Sequence, residues 1–395
     1  MKTFAYIICY FIYPFSFLVP RSKQKLAFGS YRGSFSDNSK YLFIYAAEHC
    51  PELEIYWLSV NRKTVQYVRS LGLPAYWVLS PIGAWKALRA KYWFVNSYSS
   101  DIMYCLSGGA TIVNLWHGVG LKRCEFNITS GALAQRYVKK TFKERFYHPE
   151  TFKSPEWLLS STEFQSAMFA SAFRIQLDRC LNLGYPRNAI LLKPKEEVKA
   201  FVRKYEPKET IQLIEACSKY DKVYIYMPTW RDSQKNVFAQ QMDLRKLSDV
   251  LKKQNALLLL KPHPNTIVDN IYQADNIVLV ERTVDVYGIL PFTDVLITDY
   301  SSILYDYIQQ PKKDVILYLY DYDEYVRERD FYYPFDENVV GRQVKTFEEL
   351  VDVIDRQDYK MDEDVRMHIL ERFWGDTCQI DSSKAILDHI KRQDK

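Results

Sequence analysis

The chain contains no Gly-rich P-loop, no G-x-G-x-x-G and no H-E-x-x-H. These absences remove a Walker-type phosphate cradle, the usual dinucleotide fingerprint and a helix-borne zinc protease site. Cysteine is sparse, with seven residues at 9, 50, 105, 124, 180, 217 and 378 and no C-x-x-C pair. That pattern argues against a zinc knuckle or a dithiol redox motif, and scattered free thiols fit a reducing compartment. Excess charge is also lacking. The net charge is +5, from 53 bases and 48 acids in 395 residues. Such a balance points to no nucleic-acid partner, and local clusters matter more than the total.

What is present points to a large folded chain. Hydrophobic residues make up 48%, so global disorder is excluded, and the length suits two domains. Aromatics reach 15%, with 31 Tyr and 22 Phe. Tyrosine suits interfaces and half-buried surfaces, because its body is apolar and its tip polar. Residues 3–20, TFAYIICYFIYPFSFLVP, carry no charge. The run is short for a membrane span and Pro14 interrupts it, so an interfacial aromatic anchor is the preferred reading. A span and a buried first helix are the alternatives. Residues 1–25 are expected to form this membrane-associating segment.

Apolar runs then alternate with helical stretches. Strands are predicted at 26–31, 54–59, 75–79, 91–96, 111–116 and 157–161, and again at 222–230, 256–263, 277–281, 294–299 and 314–320. Helices are predicted between them, among others at 39–49, 81–90 and 244–254. This alternation predicts an α/β fold of two Rossmann-type, doubly wound parallel sheets with a cleft between them. A linker around 187–210 would divide residues 26–190 from residues 191–395. In such sheets ligands bind outside the carboxyl ends of the strands, and that rule ranks the motifs.

The first motif is Asn114-Leu115-Trp116-His117-Gly118-Val119-Gly120-Leu121-Lys122-Arg123. A His at a strand end beside glycines can act as a general base near neutral pH, or can merely cap a turn. The second is Leu260-Lys261-Pro262-His263-Pro264, in which two prolines present His263 rigidly. The third runs from Thr298 and Asp299 through Ser301 and Ser302 to Asp306. Its serines read as phosphate contacts at a helix start, or simply as an N-cap. Thr229 and Arg231 in P-T-W-R, and Arg187 in G-Y-P-R-N, follow further strands, and Arg grips phosphate in bidentate fashion. Asp321 and Asp323 in YDYDEY read as a solvated loop, and no metal site is expected. Residues 132–147 place Arg136, Lys139, Lys140 and Lys143 at helical spacing among aromatics, which suits anionic headgroups or a solvated face.

In order along the chain stand W-H-G with Lys122, G-Y-P-R-N, P-T-W-R, K-P-H-P and T-D-Y-S-S. This set resembles the CDP-glycerol glycerophosphotransferase family of teichoic acid and capsule enzymes. The resemblance implies a GT-B-like pair of domains, a CDP-polyol donor, a lipid-linked or polymeric acceptor, and peripheral, monotopic association with the cytoplasmic face of an anionic membrane. It implies His117 as catalytic base and His263 as a catalytic ligand of the donor pyrophosphate. Arg231, Ser301, Ser302, Asp299, Lys261, Thr229 and Arg187 fall on the donor side, and Gly118 and Lys122 on the acceptor side. No cofactor is required, and there is room for Mg²⁺. The late D-G pair of the glycerol polymerases is reversed here as Gly375-Asp376. Two other readings share the pattern: a GT-B glycosyltransferase using a nucleotide sugar, and a non-catalytic polymer-binding protein.

Overall fold

The computed structural model describes residues 2–131, 133–229, 242–262, 272, 274–282, 284–328 and 330–393. Arg231 and His263 lie outside the described residues. Two all-parallel sheets form the frame. The first contains β1 (Ser22–Phe28), β2 (Glu54–Ser59), β3 (Ala75–Trp77), β4 (Ala90–Val95), β5 (Thr111–Asn114), β6 (Trp157–Ser160) and β7 (Cys180–Asn182) in the order β3-β2-β1-β4-β5-β6-β7. The second contains β8 (Lys222–Met227), β9 (Ala256–Leu260), β10 (Ile277–Leu279), β11 (Val295–Thr298), β12 (Asp314–Tyr318) and β13 (Arg342–Val344) in the order β10-β9-β8-β11-β12-β13. Each order reverses beside its own first strand, which gives each sheet a switch point for a ligand.

The strands are readable because helices cover both sheet faces. Every residue of β9, Ala-Leu-Leu-Leu-Leu, is buried, and so is every residue of β11. Polar alternation would bury unpaired groups there. Around the first sheet lie α1 (Lys2–Phe15), α2 (Asp37–His49), α3 (Arg62–Ser70), α4 (Pro81–Arg89), α5 (Ala134–Tyr137), α6 (Phe142–Tyr147) and α7 (Glu163–Phe173). The chain passes through α8 (Lys195–Tyr205) and α9 (Lys208–Cys217) into the second half. There it forms α10 (Leu244–Lys253), α11 (Ile303–Tyr307), α12 (Tyr322–Glu328) and α13 (Phe347–Arg356).

Two C-terminal helices, α14 (Glu363–Phe373) and α15 (Ser382–Gln393), then return to the first half. There α14 packs on α7 and α15 on α2. Trp374 donates its indole N–H to the Tyr305 carbonyl at 2.9 Å, while Ser161 donates to the Phe373 carbonyl at 2.5 Å. One apolar cluster, from Leu26 and Phe28 to Leu317 and Ile386, therefore joins both sheets.

Three expectations change. The first strand begins at Ser22 rather than residue 26, because its exposed start carries the polar run Ser-Lys-Gln-Lys. The 132–147 stretch is two short helices instead of one. Lys140 takes a left-handed φ of 49°, and Thr141 then caps α6 by accepting from Glu144 N at 3.3 Å. Third, the helix after Ser301-Ser302 has five residues, so it supplies little macrodipole to a phosphate.

Candidate active site

The second sheet brings one wall of the site to its switch point. β8 and β11 run side by side with Thr298 paired to Met227, so the turns after them touch. Asp299 is buried and organises that contact. Its Oδ1 accepts from Thr229 N at 2.9 Å, Thr229 Oγ1 at 2.6 Å and Tyr300 N at 2.6 Å. Asp299 thereby holds the Pro228-Thr229 turn against the half-buried Ser301 and Ser302.

The first sheet supplies the His117 loop. β5 ends at Asn114, whose Oδ1 accepts from Trp116 N at 2.8 Å and whose Nδ2 donates to Ser97 O at 2.7 Å. This turn puts Trp116 at φ 52°, a conformation that costs a bulky residue energy and needs outside support. Asn38 provides it, donating Nδ2 to the Leu115 and Trp116 carbonyls at 3.3 and 3.0 Å. The Trp116 ring meets Phe173 edge-on at 4.8 Å, and the imidazole of His117 lies 4.0 Å from the indole.

The imidazole opens to the cleft, while protein crowds its other sides. Nδ1 faces the Asn96 carbonyl at 3.4 Å. A carbonyl only accepts, so this contact puts the proton on Nδ1 and the lone pair on Nε2. Burial lowers the His117 pKa below its ordinary 6.5. Asp37 and the Asn96 carbonyl oppose that shift, whereas Arg187 and Lys122 add to it. The shift favours the neutral ring.

Gly118 follows at φ 126°. A Cβ there would stand 2.9 Å from Arg187 Nη2 and 3.6 Å from Ser302 Oγ, so the glycine permits close approach of the two halves. An arm after α12 covers the same loop. Arg123 N donates to Asp330 O at 2.9 Å, Tyr332 N donates to Leu121 O at 3.2 Å, and Tyr333 donates its hydroxyl to Gly120 O. Lys122 Nζ donates to the Tyr325 hydroxyl at 3.0 Å.

Between these parts lies a cavity of about 450 Å³. His117, Gly118 and Lys122 line it from the first half, and Thr229, Ser301, Ser302 and Tyr325 from the second. Six of the sequence candidates thus meet in one cleft. Three others face elsewhere. Asp299 stands behind the turn that it braces. Lys261 is buried and donates Nζ to the carbonyls of Glu281 and Val284, and burial lowers its pKa to about 8. Arg187 is also buried and engages Asp37, Asp306 and the His117 carbonyl, which corrects its reading as a phosphate grip. Among the described residues, no group of three or more His, Cys, Asp or Glu is placed to hold a metal ion.

Sequence reasoning passed over Asp37, Asn38 and Tyr325. Asp306 stood at the end of a quoted motif without a role. The only local sign of the α2 pair was Ser36-Asp37-Asn38 ahead of a helix, which reads as an ordinary cap.

Two doubly wound sheets facing one cleft, with polar turns from both, define a GT-B-like transferase architecture. Residues 11–389 match the family described as CDP-glycerol:poly(glycerophosphate) glycerophosphotransferase. The chain belongs to that family and is an enzyme of the glycerophosphotransferase class.

It is 27% identical to a teichoic acid glycerol-phosphate transferase of Staphylococcus aureus, over 92% of this chain and 91% of that protein. It is 30% identical to the ribitol-phosphate polymerase TarK of the same species, over 69% of this chain and 52% of the polymerase, about half the latter's length. The solved wall teichoic acid polymerase TagF shares the fold, with a TM-score of 0.76 and 24% identity over 94% of this chain and 90% of that one.

Proposed function

We propose that this enzyme transfers glycerol phosphate, or a related polyol phosphate, from a CDP-polyol to a hydroxyl of a lipid-linked or polymeric acceptor, releasing CMP. The products are teichoic acid or capsule polymers. The meeting of His117 with Thr229, Ser301 and Ser302 across the cleft carries this reading. The acceptor hydroxyl gives its proton to Nε2 of His117 while its oxygen attacks the β-phosphorus of the donor. The bond from that phosphorus to the bridging oxygen breaks, and CMP leaves with the electron pair.

Charge spreads over the phosphoryl oxygens in the transition state, so positioning and donor groups do most of the work. Ser301, Ser302 and the Thr229 turn contact the diphosphate together with Arg231 and His263, and Lys122 faces the acceptor side. The decisive measurement is CMP release by the purified protein with CDP-glycerol, CDP-ribitol and UDP-sugars supplied in parallel. Turnover is expected with a CDP-polyol plus a polyol-phosphate acceptor. Release of UDP from a UDP-sugar, with no CMP from either CDP-polyol, would move the protein to the glycosyltransferases. Binding of polymer without any turnover would make it a scaffold.

The enzyme works on the cytoplasmic face of the membrane as a peripheral protein in this reading. α1 exposes Phe4, Ile7, Ile8, Phe11 and Phe15, and Phe17 and Leu18 follow. It packs against α6, with Tyr10 stacked on Phe146 at 5.4 Å, so the apolar helix lies beside the basic 134–147 segment. Among the described residues no helix is long and apolar enough to cross a membrane. Vesicles containing phosphatidylglycerol are expected to pellet the protein at low salt and to release it at high salt. Equal pelleting with neutral vesicles at every salt level would remove the electrostatic part.

A further inference from the structure

We infer that Arg187 is a positioning residue for phosphoryl transfer, one guanidinium that holds the His117 backbone in register with the turn that carries Ser301 and Ser302. The inference rests on reading His117 as the base. Arg187 stands just after β7, buried behind Gly118. Its Nη2 has two hydrogens and two partners: the His117 carbonyl at 2.9 Å and Asp306 Oδ2 at 2.8 Å. Its Nη1 donates to Asp37 Oδ1 at 2.6 Å, and its backbone N–H donates to Asn38 Oδ1 at 3.2 Å. Asn38 in turn holds the carbonyls of Leu115 and Trp116. Three successive carbonyls of the loop, at 115, 116 and 117, are therefore fixed from one place.

The far end of the bridge is Asp306, on α11, the helix that follows Ser301-Ser302 directly. Asp306 has three donors. Besides Arg187 it accepts from Asn188 Nδ2 at 2.9 Å and from the Tyr287 hydroxyl. The Tyr287 ring also covers the guanidinium at 4.7 Å. A displacement of the donor turn thus pulls on the His117 carbonyl through two hydrogen bonds of a single nitrogen. Only a planar fork can make these three contacts in their fixed directions, and an ammonium cannot.

The electrostatics add a readable signature. The groups facing His117 are Asp37 from the start of α2, Arg187 from the turn after β7, Lys122 from its own loop and the Asn96 carbonyl after β4. Asp37 favours the imidazolium and Arg187 opposes it. The two partners of one ion pair therefore push the same titration in opposite directions.

The test compares Arg187→Lys, Arg187→Gln, Asp37→Asn and Asp306→Asn with His117→Ala, each checked for folding by circular dichroism and melting. Misplacing a reacting group by about 1 Å costs on the order of a hundredfold. Arg187→Lys should therefore lower kcat about 10- to 100-fold while the donor KM moves less than about threefold. Asp306→Asn should act in the same direction, and the double variant should be no worse than Arg187→Lys alone, since both cut one bridge.

The acid limb of the rate profile should move to higher pH in Arg187→Gln and to lower pH in Asp37→Asn. General loosening of the fold would not produce opposite shifts. Should the Arg187 variants fail to fold, the two Asp variants carry the same expectations alone. A kcat in folded Arg187→Lys within about twofold of the parent overturns the inference, as does a limb unmoved in Asp37→Asn. A large rise in donor KM at unchanged kcat also overturns it and returns Arg187 to the phosphate. High activity in His117→Ala would defeat the base assignment itself, whereas a dead His117→Ala beside a normal Arg187→Lys defeats only this inference.

Discussion

Two buried ion networks cross from α2 to the second half of the molecule, one turn apart. Each has one cation and two carboxylates. In the first, Arg187 joins Asp37 to Asp306. In the second, Lys40 joins Glu206 to Asp285. Tyr287 belongs to both, with its hydroxyl on Asp306 and its backbone N–H on Asp285 at 3.1 Å.

They differ in what else they touch. The Arg187 fork reaches the His117 carbonyl and so the cleft. The Lys40 Nζ makes its ion pairs with the two carboxylates, and its nearest rings are Phe35 and Tyr41. Hydrogen bonding differs too. Asp37 and Asp306 have further N–H and O–H donors, whereas among the described residues Glu206 bonds to Lys40 alone. Proximity to the seam is thus shared by both networks, and contact with the His117 loop distinguishes them. The first network should govern rate and the second stability.

The largest effect should come from the loop that only the first network touches. His117→Ala should lower kcat by about a hundred- to ten-thousand-fold, the usual cost of losing a general base. Donor affinity should change little, because in the proposed reaction the imidazole meets the acceptor. The wild-type rate should fall on the acid side as His117 protonates, at a pH below that of an ordinary imidazole, since burial depresses its pKa. A folded variant that keeps near-normal turnover, or the same acid limb, would falsify the assignment.

Lys40→Met should show the opposite pattern. The side chain is only 1% exposed, and its removal leaves two carboxylates facing each other in a buried seam. Breaking a buried pair in this way costs about 3–5 kcal/mol. Chemical denaturation should show that loss, while kcat per folded molecule stays close to the parent. A stable Lys40→Met with a collapsed kcat would mean that the second network also serves the chemistry, and the contrast would be lost.

A smaller effect is expected at the turn proposed to hold the donor. In the proposed site Ser302→Ala removes one hydroxyl contact to the charged diphosphate, worth about 1.5–3 kcal/mol. The donor KM should rise about tenfold, with a lesser fall in kcat. Unchanged donor kinetics would take Ser302 off the diphosphate.

These contrasts were only half legible in the sequence. The central strands were plain because burial on both faces makes them continuous apolar runs, as in ALLLL of β9. The three-residue edge strands β7 and β13 gave no such run: β13 reads Arg-Gln-Val, with two exposed residues. That His117, Ser301 and Ser302 would meet at one cleft was legible because strand ends mark where such sheets open to a ligand. Arg187 was picked out for the right chemistry and the wrong partner. A guanidinium reads the same whether it faces a phosphate or two aspartates, and the aspartates lie 150 residues before it and 119 after. Asp299 has the same history, since an acid after a strand reads as a site residue, and here it braces a turn.

The smallest expected effect is also the most specific to the second network. Two carboxylates share one ammonium there, so one negative charge is in excess. Asp285 keeps its charge. It is held below the usual carboxylate range by Lys40 and the Tyr287 N–H against the opposing effect of burial. Glu206 takes the strain. Burial first, and then repulsion from Asp285, push its pKa up to about 7 despite Lys40.

The folded pKa is raised above the unfolded one, so the folded state binds the proton more tightly. Its contribution to stability is full below the unfolded value near 4.5 and is lost as pH rises through about 7. Glu206→Gln mimics the protonated form and should remove that pH dependence. The melting temperature of the variant should exceed the parent's at pH 8 by a few degrees, match it near pH 5, and show a flatter slope between. An equal slope in both proteins would mean that Glu206 stays ionised in the seam, and that Lys40 neutralises both acids at once.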